Sequence, residues 1–152
     1  MVLHLIGNAH LDPVWLWRWP EGCAEAIGTC WAAVDRLDEH GGFVFTRGEA
    51  QVYRWVEELE PALFAKIKLY VQQDRWAVVN GWWLQPDCNL PSGEAFLRQA
   101  LYGKAYFKQA FGDLDIHTAY NVDSFGHAAT LPMLLRHTGY AHYVFMRPQA
   151  HE

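Results

Sequence analysis

The stretch Trp76-Ala-Val-Val-Asn80, followed by residues 92–111 (SGEAFLRQALYGKAYFKQAF) and by His117-Thr-Ala-Tyr120, decides the fold. The first and last segments are short and apolar, which is typical of buried strands. Residues 92–111 form a helical pattern that Ser92 can cap. Small and aromatic residues recur on one face of that helix: Phe96, Ala100, Gly103 and Phe107. A strand, a helix and a strand in this order predict a parallel βαβ unit.

The same alternation continues on both sides of this unit. We predict three further strands, at residues 2–6, 43–46 and 142–146. We predict four further helices, at residues 20–38, 49–58, 61–73 and 128–137. The pattern predicts one α/β domain over residues 1–152, with a parallel sheet and right-handed crossovers. Five βα units do not close an eight-stranded barrel. The fold is therefore an open doubly wound sheet or an incomplete (β/α) barrel, and the stop soon after the fifth strand favours the barrel.

Composition excludes several classes of protein. The net charge of −5, without a basic run, argues against a nucleic-acid partner. No stretch approaches about 18 apolar residues, so we expect no membrane span, and the first residues lack the pattern of a signal peptide. The 3 cysteines form no CxxC pair, so we expect reduced thiols and a cytoplasmic location. The oligomeric state is left open.

Reactive side chains follow the predicted strands at the same end. His10 and Asp12 follow the first strand, Asp87 the third, Asp123 the fourth and Arg147 the fifth. Functional sites of parallel α/β folds lie at the carboxyl ends of the strands. The sequence therefore predicts that these side chains share one edge of the sheet.

His10 and Asp12 are two residues apart in an extended segment, so their side chains point the same way. An imidazole and a carboxylate on one side can bind a divalent ion such as zinc. The alternative is a structural His–Asp pair. Trp15, Trp17 and Trp19 follow, in a chain whose aromatic content is 15%. Such rings either fill a core, as we expect for at least one of the three, or form stacking surfaces for sugars.

Asp123 stands at the start of a turn that leads into a helix. Its carboxylate could complete a metal site from another strand, act as a nucleophile, or cap the helix. The residues alone leave these three roles open.

Three motifs in this order resemble glycoside hydrolase family 38, the α-mannosidases. The run Asn8-Ala-His-Leu-Asp-Pro-Val-Trp-Leu-Trp17 resembles the opening of that family, and Asn121-Val-Asp-Ser-Phe-Gly-His127 resembles its nucleophile motif. Gly81-Trp-Trp-Leu-Gln-Pro-Asp-Cys-Asn-Leu-Pro-Ser-Gly-Glu94 is similar to the branch with bacterial and cytosolic members. The resemblance covers essentially the whole chain and implies an incomplete (β/α) barrel of the family's type.

The resemblance implies a metal site and a nucleophile. His10 and Asp12 match two zinc ligands, and Asp123 matches the residue that is both third ligand and nucleophile. The implied reaction is retaining hydrolysis of mannose-containing oligosaccharides, in which zinc binds hydroxyl groups of the sugar. The same donor set also suits cobalt, manganese or calcium.

The resemblance also implies substrate contacts. Trp15 matches an aromatic residue that packs against the mannose, and Phe125 lines the same pocket. Arg147 matches an arginine that supports the nucleophile, and Asp87 lies in a motif near the substrate.

Two parts of the family's site are expected beyond residue 152. They are a histidine that is the fourth zinc ligand and an aspartate that is the general acid/base. Relatives also carry a segment before the first strand, so we expect this chain to be a piece of a larger glycosidase. Alone, it should hold metal weakly and show almost no turnover.

Two other classes of protein fit parts of the pattern. A polysaccharide deacetylase also places His and Asp at strand ends, but it should carry an HxxxH pair after its second strand, where this sequence has Thr46-Arg-Gly-Glu-Ala50. A non-catalytic carbohydrate-binding module would use the tryptophans as platforms, but it does not need the His and Asp residues.

Overall fold

Strands and helices alternate along residues 1–148, which are the residues that the computed structural model describes. The first six elements are β1 (Gly7–Asn8), α1 (Trp19–Glu39), β2 (Phe45–Arg47), α2 (Ala50–Leu59), α3 (Pro61–Gln72) and β3 (Trp76–Val78). The last four are α4 (Gly93–Phe111), β4 (Thr118–Asn121), α5 (Leu131–His137) and β5 (His142–Phe145). The chain divides into two units, of which unit 1 is Met1–Arg47 with Val52–Val78, and unit 2 is Gly48–Gln51 with Val79–Glu152.

Unit 1 contains a three-stranded parallel sheet in the order β1-β2-β3. Phe45 is the partner of Gly7 on one side and of Trp76 on the other. The rings of Phe45 and Trp76 pack edge to face, with centroids 4.8 Å apart. Helix α1 contributes buried residues at three- and four-residue spacing, which is the pattern of a helix with one face in the core. They are Ala26, Cys30, Ala33, Val34 and Leu37.

Unit 2 contains a two-stranded parallel sheet, in which Thr118 pairs with His142 and Asn121 with Phe145. Its core includes Trp82, whose ring centroid lies 5.1 Å from Phe96 and 5.7 Å from Tyr140. Ser92 caps α4, since its Oγ accepts a hydrogen bond from the Ala95 amide at 3.2 Å. These contacts hold α4 and β4 in place and so fix the loops on either side of them.

The predicted alternation and the parallel pairing are confirmed within each unit. The first predicted strand is wrong, because residues 2–6 are exposed and only Gly7 and Asn8 pair with β2. Helix α5 begins at Leu131, three residues later than predicted. The single catalytic domain, the right-handed crossovers and the incomplete barrel stay predictions.

Within residues 1–148, each helix is too short or too polar to cross a bilayer.

Candidate active site

The strand end that precedes His10 is fixed by side-chain hydrogen bonds inside unit 1. Asn8 Nδ2 donates to the Thr46 carbonyl at 2.9 Å, and Thr46 Oγ1 donates to the Gly7 carbonyl at 2.8 Å. Arg47, which is buried, donates to the Ala9 carbonyl. These side-chain hydrogen bonds therefore add to the backbone pairing between β1 and β2. They fix the position of the backbone just before His10.

His10 and Asp12 lie side by side in this segment, as the two-residue spacing predicts. His10 Nε2 is 3.4 Å from Asp12 Oδ1, and the two side chains are 28% and 44% exposed. A hydrogen bond to a carboxylate is usually shorter, at about 2.7–2.9 Å. Two ligands at about 2.0–2.2 Å from one tetrahedral ion would be separated by roughly 3.4 Å. The pair therefore has the donor chemistry and the spacing of two ligands of one metal ion.

Contacts within the loop itself hold the residues that follow Asp12. Trp17 Nε1 donates to the Asp12 carbonyl at 3.0 Å. Trp15 meets the Trp17 ring edge to face, with centroids 5.5 Å apart, and is 66% exposed. Trp17 is partly buried, whereas Trp15 and Trp19 present aromatic surface to solvent. Trp15 is therefore available to stack on a sugar ring.

In unit 2, Asp123 is held by an arginine. Arg147 Nη1 donates to Asp123 Oδ1 at 2.7 Å, and both side chains are about one-third exposed. The Arg147 guanidinium also lies over the Phe125 ring, 4.5 Å from its centroid, and Phe125 is 68% exposed. Because a guanidinium stays charged and has fixed geometry, this contact orients the carboxylate and leaves it open to solvent.

Asp87 lies in a turn of the neighbouring loop of unit 2. Its Oδ1 accepts hydrogen bonds from the Asn89 amide at 2.7 Å and the Leu90 amide at 2.9 Å. Asn89 Nδ2 in turn donates to the Phe125 carbonyl at 3.1 Å. A Cβ at Gly126, whose φ is +109°, would lie 2.4 Å from Asn89 Nδ2. The Asp87 turn thus supports the backbone that carries Phe125, while a contact between Asp87 and substrate stays a prediction.

A cluster of polar side chains beneath Asp123 and Arg147 was not singled out from the sequence. Asn121 Nδ2 lies 3.2 Å from Cys88 Sγ, and the Tyr143 hydroxyl lies 3.6 Å from the same sulfur. His127 lies 3.1 Å from Tyr143 Oη and 2.8 Å from the Arg147 carbonyl. Burial raises the pKa of the Tyr143 hydroxyl and of the Cys88 thiol. The signal available in the sequence was the proximity of His127 to Asp123 in one motif.

Each unit brings together part of the predicted site. Unit 1 brings together His10 and Asp12, with Trp15 in the same loop. Unit 2 brings together Asp123 and Phe125, which lie in one motif after the fourth strand, with Arg147, which follows the fifth strand.

Residues 1–151 match the model of the glycosyl hydrolases family 38 N-terminal domain. The chain belongs to glycoside hydrolase family 38. This match contains all the residues described above and confirms the family that the three motifs indicated.

Family 38 relatives of this chain include several α-mannosidases. The chain is 36% identical to α-mannosidase G of Dictyostelium discoideum over 142 residues, which are 91% of this chain and 13% of that protein. It is 32% identical to an α-mannosidase of Saccharomyces cerevisiae over 135 residues, which are 88% of this chain and 12% of that protein. The chain therefore spans about one-eighth of the length of these relatives.

Solved structures share the fold. An α-mannosidase from Enterococcus faecalis V583 superimposes with a TM-score of 0.81 and 18% identity, over 92% of this chain and 16% of that chain. A 4-α-glucanotransferase from Thermococcus litoralis superimposes with a TM-score of 0.69 and 17% identity, over 92% and 22% of the two chains. These likenesses show a shared fold, and one of the two proteins that share it has a different named activity.

Proposed function

We propose that this family 38 chain takes part in retaining hydrolysis of α-linked mannose, with mannose-containing oligosaccharides as substrates. The observation that carries the proposal is the contact between Arg147 Nη1 and Asp123 Oδ1 at 2.7 Å, beside the exposed ring of Phe125. An oriented, accessible carboxylate next to an aromatic surface is what a glycosidase nucleophile needs. Mannose is proposed as the sugar because the relatives of this chain are named α-mannosidases.

In the proposed reaction, a carboxylate oxygen of Asp123 attacks the anomeric carbon while the bond to the aglycone oxygen breaks. The aglycone oxygen takes a proton from a general acid, and the sugar is left as an ester of Asp123. Water then attacks the same carbon and gives a proton to the residue that acted as general acid, which now acts as base; the ester bond breaks, mannose leaves with its configuration retained, and the Asp123 carboxylate is restored. Arg147 keeps the nucleophile in position, and Trp15 and Phe125 offer aromatic surface to the sugar.

We further propose that His10, Asp12 and Asp123 hold a divalent metal ion, most simply zinc. The proposal is supported by the 3.4 Å separation of His10 Nε2 and Asp12 Oδ1, and by their exposure. An imidazole with two carboxylates is a donor set that zinc accepts. When bound, the ion would supply a template for sugar hydroxyl groups.

Covalent trapping tests the nucleophile. A mannosyl fluoride with a second fluorine on its ring loses fluoride without help from a general acid, so it reports on the attack alone. Incubation of the zinc-loaded chain should add the mass of one fluoromannosyl group, and peptide mapping should locate that group on Asp123. Asp123→Asn should abolish the label, because an amide is a poor nucleophile.

Asp115 provides a matched control for this experiment. It lies at the other end of β4, where its Oδ1 is 2.8 Å from His117 Nδ1, and its side chain is 87% exposed. Asp115→Asn should therefore leave the label unchanged. A wild-type chain that takes no label, or a label on another residue, would contradict the role of Asp123.

We also propose a cytoplasmic location. The support is that Cys23, Cys30 and Cys88 are buried free thiols, which suits a reducing compartment. Immunoblotting of fractionated cells checks this, and recovery in secretory organelles would count against it.

A further inference from the structure

Several polar groups in unit 2 meet at the Arg147 main chain. The Arg147 carbonyl accepts a hydrogen bond from Ser124 Oγ at 3.0 Å, and His127 Nε2 lies 2.8 Å from the same oxygen. On the other side of the His127 ring, Nδ1 lies 3.1 Å from Tyr143 Oη. Two segments, the loop after β4 and the end of β5, are thus joined through one imidazole.

The direction of these hydrogen bonds follows from their chemistry. A carbonyl oxygen only accepts, so His127 Nε2 must carry a hydrogen and donate to Arg147. In a neutral imidazole the other nitrogen is then an acceptor. Nδ1 therefore accepts from the Tyr143 hydroxyl. Burial raises the pKa of Tyr143 and keeps the proton that this donation requires.

Ring packing fixes the orientation of the His127 imidazole. Its centroid lies 4.9 Å from Phe145 and 5.6 Å from Tyr143, edge to face in both cases. Tyr143 and Phe145 are two residues apart on β5, and their own rings stack at 5.4 Å. The aromatic surface therefore holds the plane of the ring, and donation from the Tyr143 hydroxyl to Nδ1 favours the tautomer that carries its hydrogen on Nε2, the nitrogen that faces Arg147.

We propose that Tyr143 and His127 are positioning residues that hold the Arg147 backbone so that its guanidinium meets Asp123. This inference rests on the proposed function, in which Asp123 is the nucleophile. Arg147 lies two residues after the end of β5. Its carbonyl contacts Ser124 and His127, and its side chain donates to Asp123. Fixing the carbonyl limits where the side chain starts and so sets the direction from which Nη1 reaches the carboxylate.

Nuclear magnetic resonance of the 152-residue chain tests the positioning directly. Long-range ¹H–¹⁵N spectra should show His127 as the neutral form protonated at Nε2, with its signals assigned by their loss in His127→Asn. The Arg147 guanidinium should rotate slowly about its Cζ–Nη bonds, with its signals assigned by Arg147→Lys. Tyr143→Phe keeps the stacked ring but removes the donor, so the proportion of the Nε2-protonated form should fall and the rotation of Arg147 should accelerate several-fold.

Tyr140→Phe is the matched control. Tyr140 is buried in the same unit, and its hydroxyl donates to the Asn80 carbonyl at 2.5 Å, so the variant also loses one hydroxyl hydrogen bond. It should leave both the His127 and the Arg147 signals as they are in the wild type. Unchanged signals in Tyr143→Phe, or equal changes in Tyr140→Phe, would overturn the proposal.

The trapping reaction separates this inference from the proposed function. In Tyr143→Phe the rate of Asp123 labelling at saturating fluoromannosyl fluoride should fall about 10-fold. Losses of this size are usual when a residue that orients a site residue is replaced. The half-saturating concentration should stay the same, since Tyr143 does not contact the sugar in this proposal. A change in that concentration alone would overturn the positioning role. If the wild type takes no label, the proposed function fails, and the resonance experiment still decides whether Tyr143 positions Arg147.

Discussion

Gly22 lies where helix α1 meets the loop that carries His10 and Asp12. A Cβ at this position would lie 2.1 Å from the Pro13 carbonyl oxygen, which is backbone and cannot swing away. The absence of a side chain is what allows the loop to pack so closely on the helix. One glycine therefore supports the predicted metal ligands from a distance.

Gly22→Ala should lower the free energy of unfolding by about 1–3 kcal/mol, the usual cost of overpacking. Gly28→Ala is the matched control in the same helix, because a Cβ there meets nothing within 4 Å. Alanine favours a helix over glycine by about 1 kcal/mol, so Gly28→Ala should be neutral or stabilising. Urea unfolding of the variants measures the difference, and equal stabilities would show that the Pro13 contact does not constrain the loop.

Sequence reasoning at the residue scale worked where geometry is local. The pairing of His10 with Asp12 follows from their two-residue spacing alone. The contact between His127 and Tyr143 depends on how the loop after β4 folds against β5, and no spacing rule reports it. The contact between Asp123 and Arg147 could be predicted only from the rule that sites lie at strand ends and from the family resemblance.

At the scale of elements, Ser92 shows how one residue sets a helix boundary. Its Oγ accepts from the Ala95 amide at 3.2 Å, which satisfies one of the free amides at the start of α4. Ser92→Ala should lower the free energy of unfolding by about 1 kcal/mol. Thr130→Ala is the control, since Thr130 occupies the N-cap of α5 and makes no side-chain cap bond there. Thermal or urea unfolding compares the two, and an equal loss would mean that the Ser92 cap contributes nothing measurable.

Helices were predicted more closely than strands for a physical reason. The helical period and caps lie in the segment itself, so α3 and α4 begin at the expected proline and just after the expected serine. Strand bounds depend on partners elsewhere in the chain, and each strand is shifted or shortened relative to its apolar run. Helix α2 begins after Glu49 because that residue has a φ of +70°, which a helix does not accommodate.

At the scale of the whole molecule, strand alternation predicted the parallel pairing but not the extent of the site. β4 is next to β5 in one sheet, and β1, β2 and β3 form another. The matched region makes up only 13% of α-mannosidase G, so that relative extends far past it. The proposed metal site uses three ligands, His10, Asp12 and Asp123, so a test of it must replace each of them in turn.

If the proposal is right, zinc should stabilise the wild-type chain in a way that needs all three proposed ligands. A ligand that binds only the folded state adds about 2.7 kcal/mol to stability when its free concentration is about 100 times its Kd. His10→Ala, Asp12→Asn and Asp123→Asn should each remove most of the zinc-dependent rise in Tm, and a chelator should reverse that rise in the wild type. His117→Ala is the control, because His117 forms a similar exposed pair with Asp115 at 2.8 Å but lies outside the proposed site.

Scanning calorimetry of these variants, with and without zinc, discriminates between the arrangements. If only His10→Ala and Asp12→Asn lose the effect, the ion is bound by unit 1 alone and Asp123 is not a ligand. If His117→Ala loses as much as His10→Ala, zinc is binding to surface histidines in general, and the proposed site is wrong. Loss in all three ligand variants with none in the control is the result that the proposal requires, because an ion bound by His10, Asp12 and Asp123 loses affinity when any of the three is replaced.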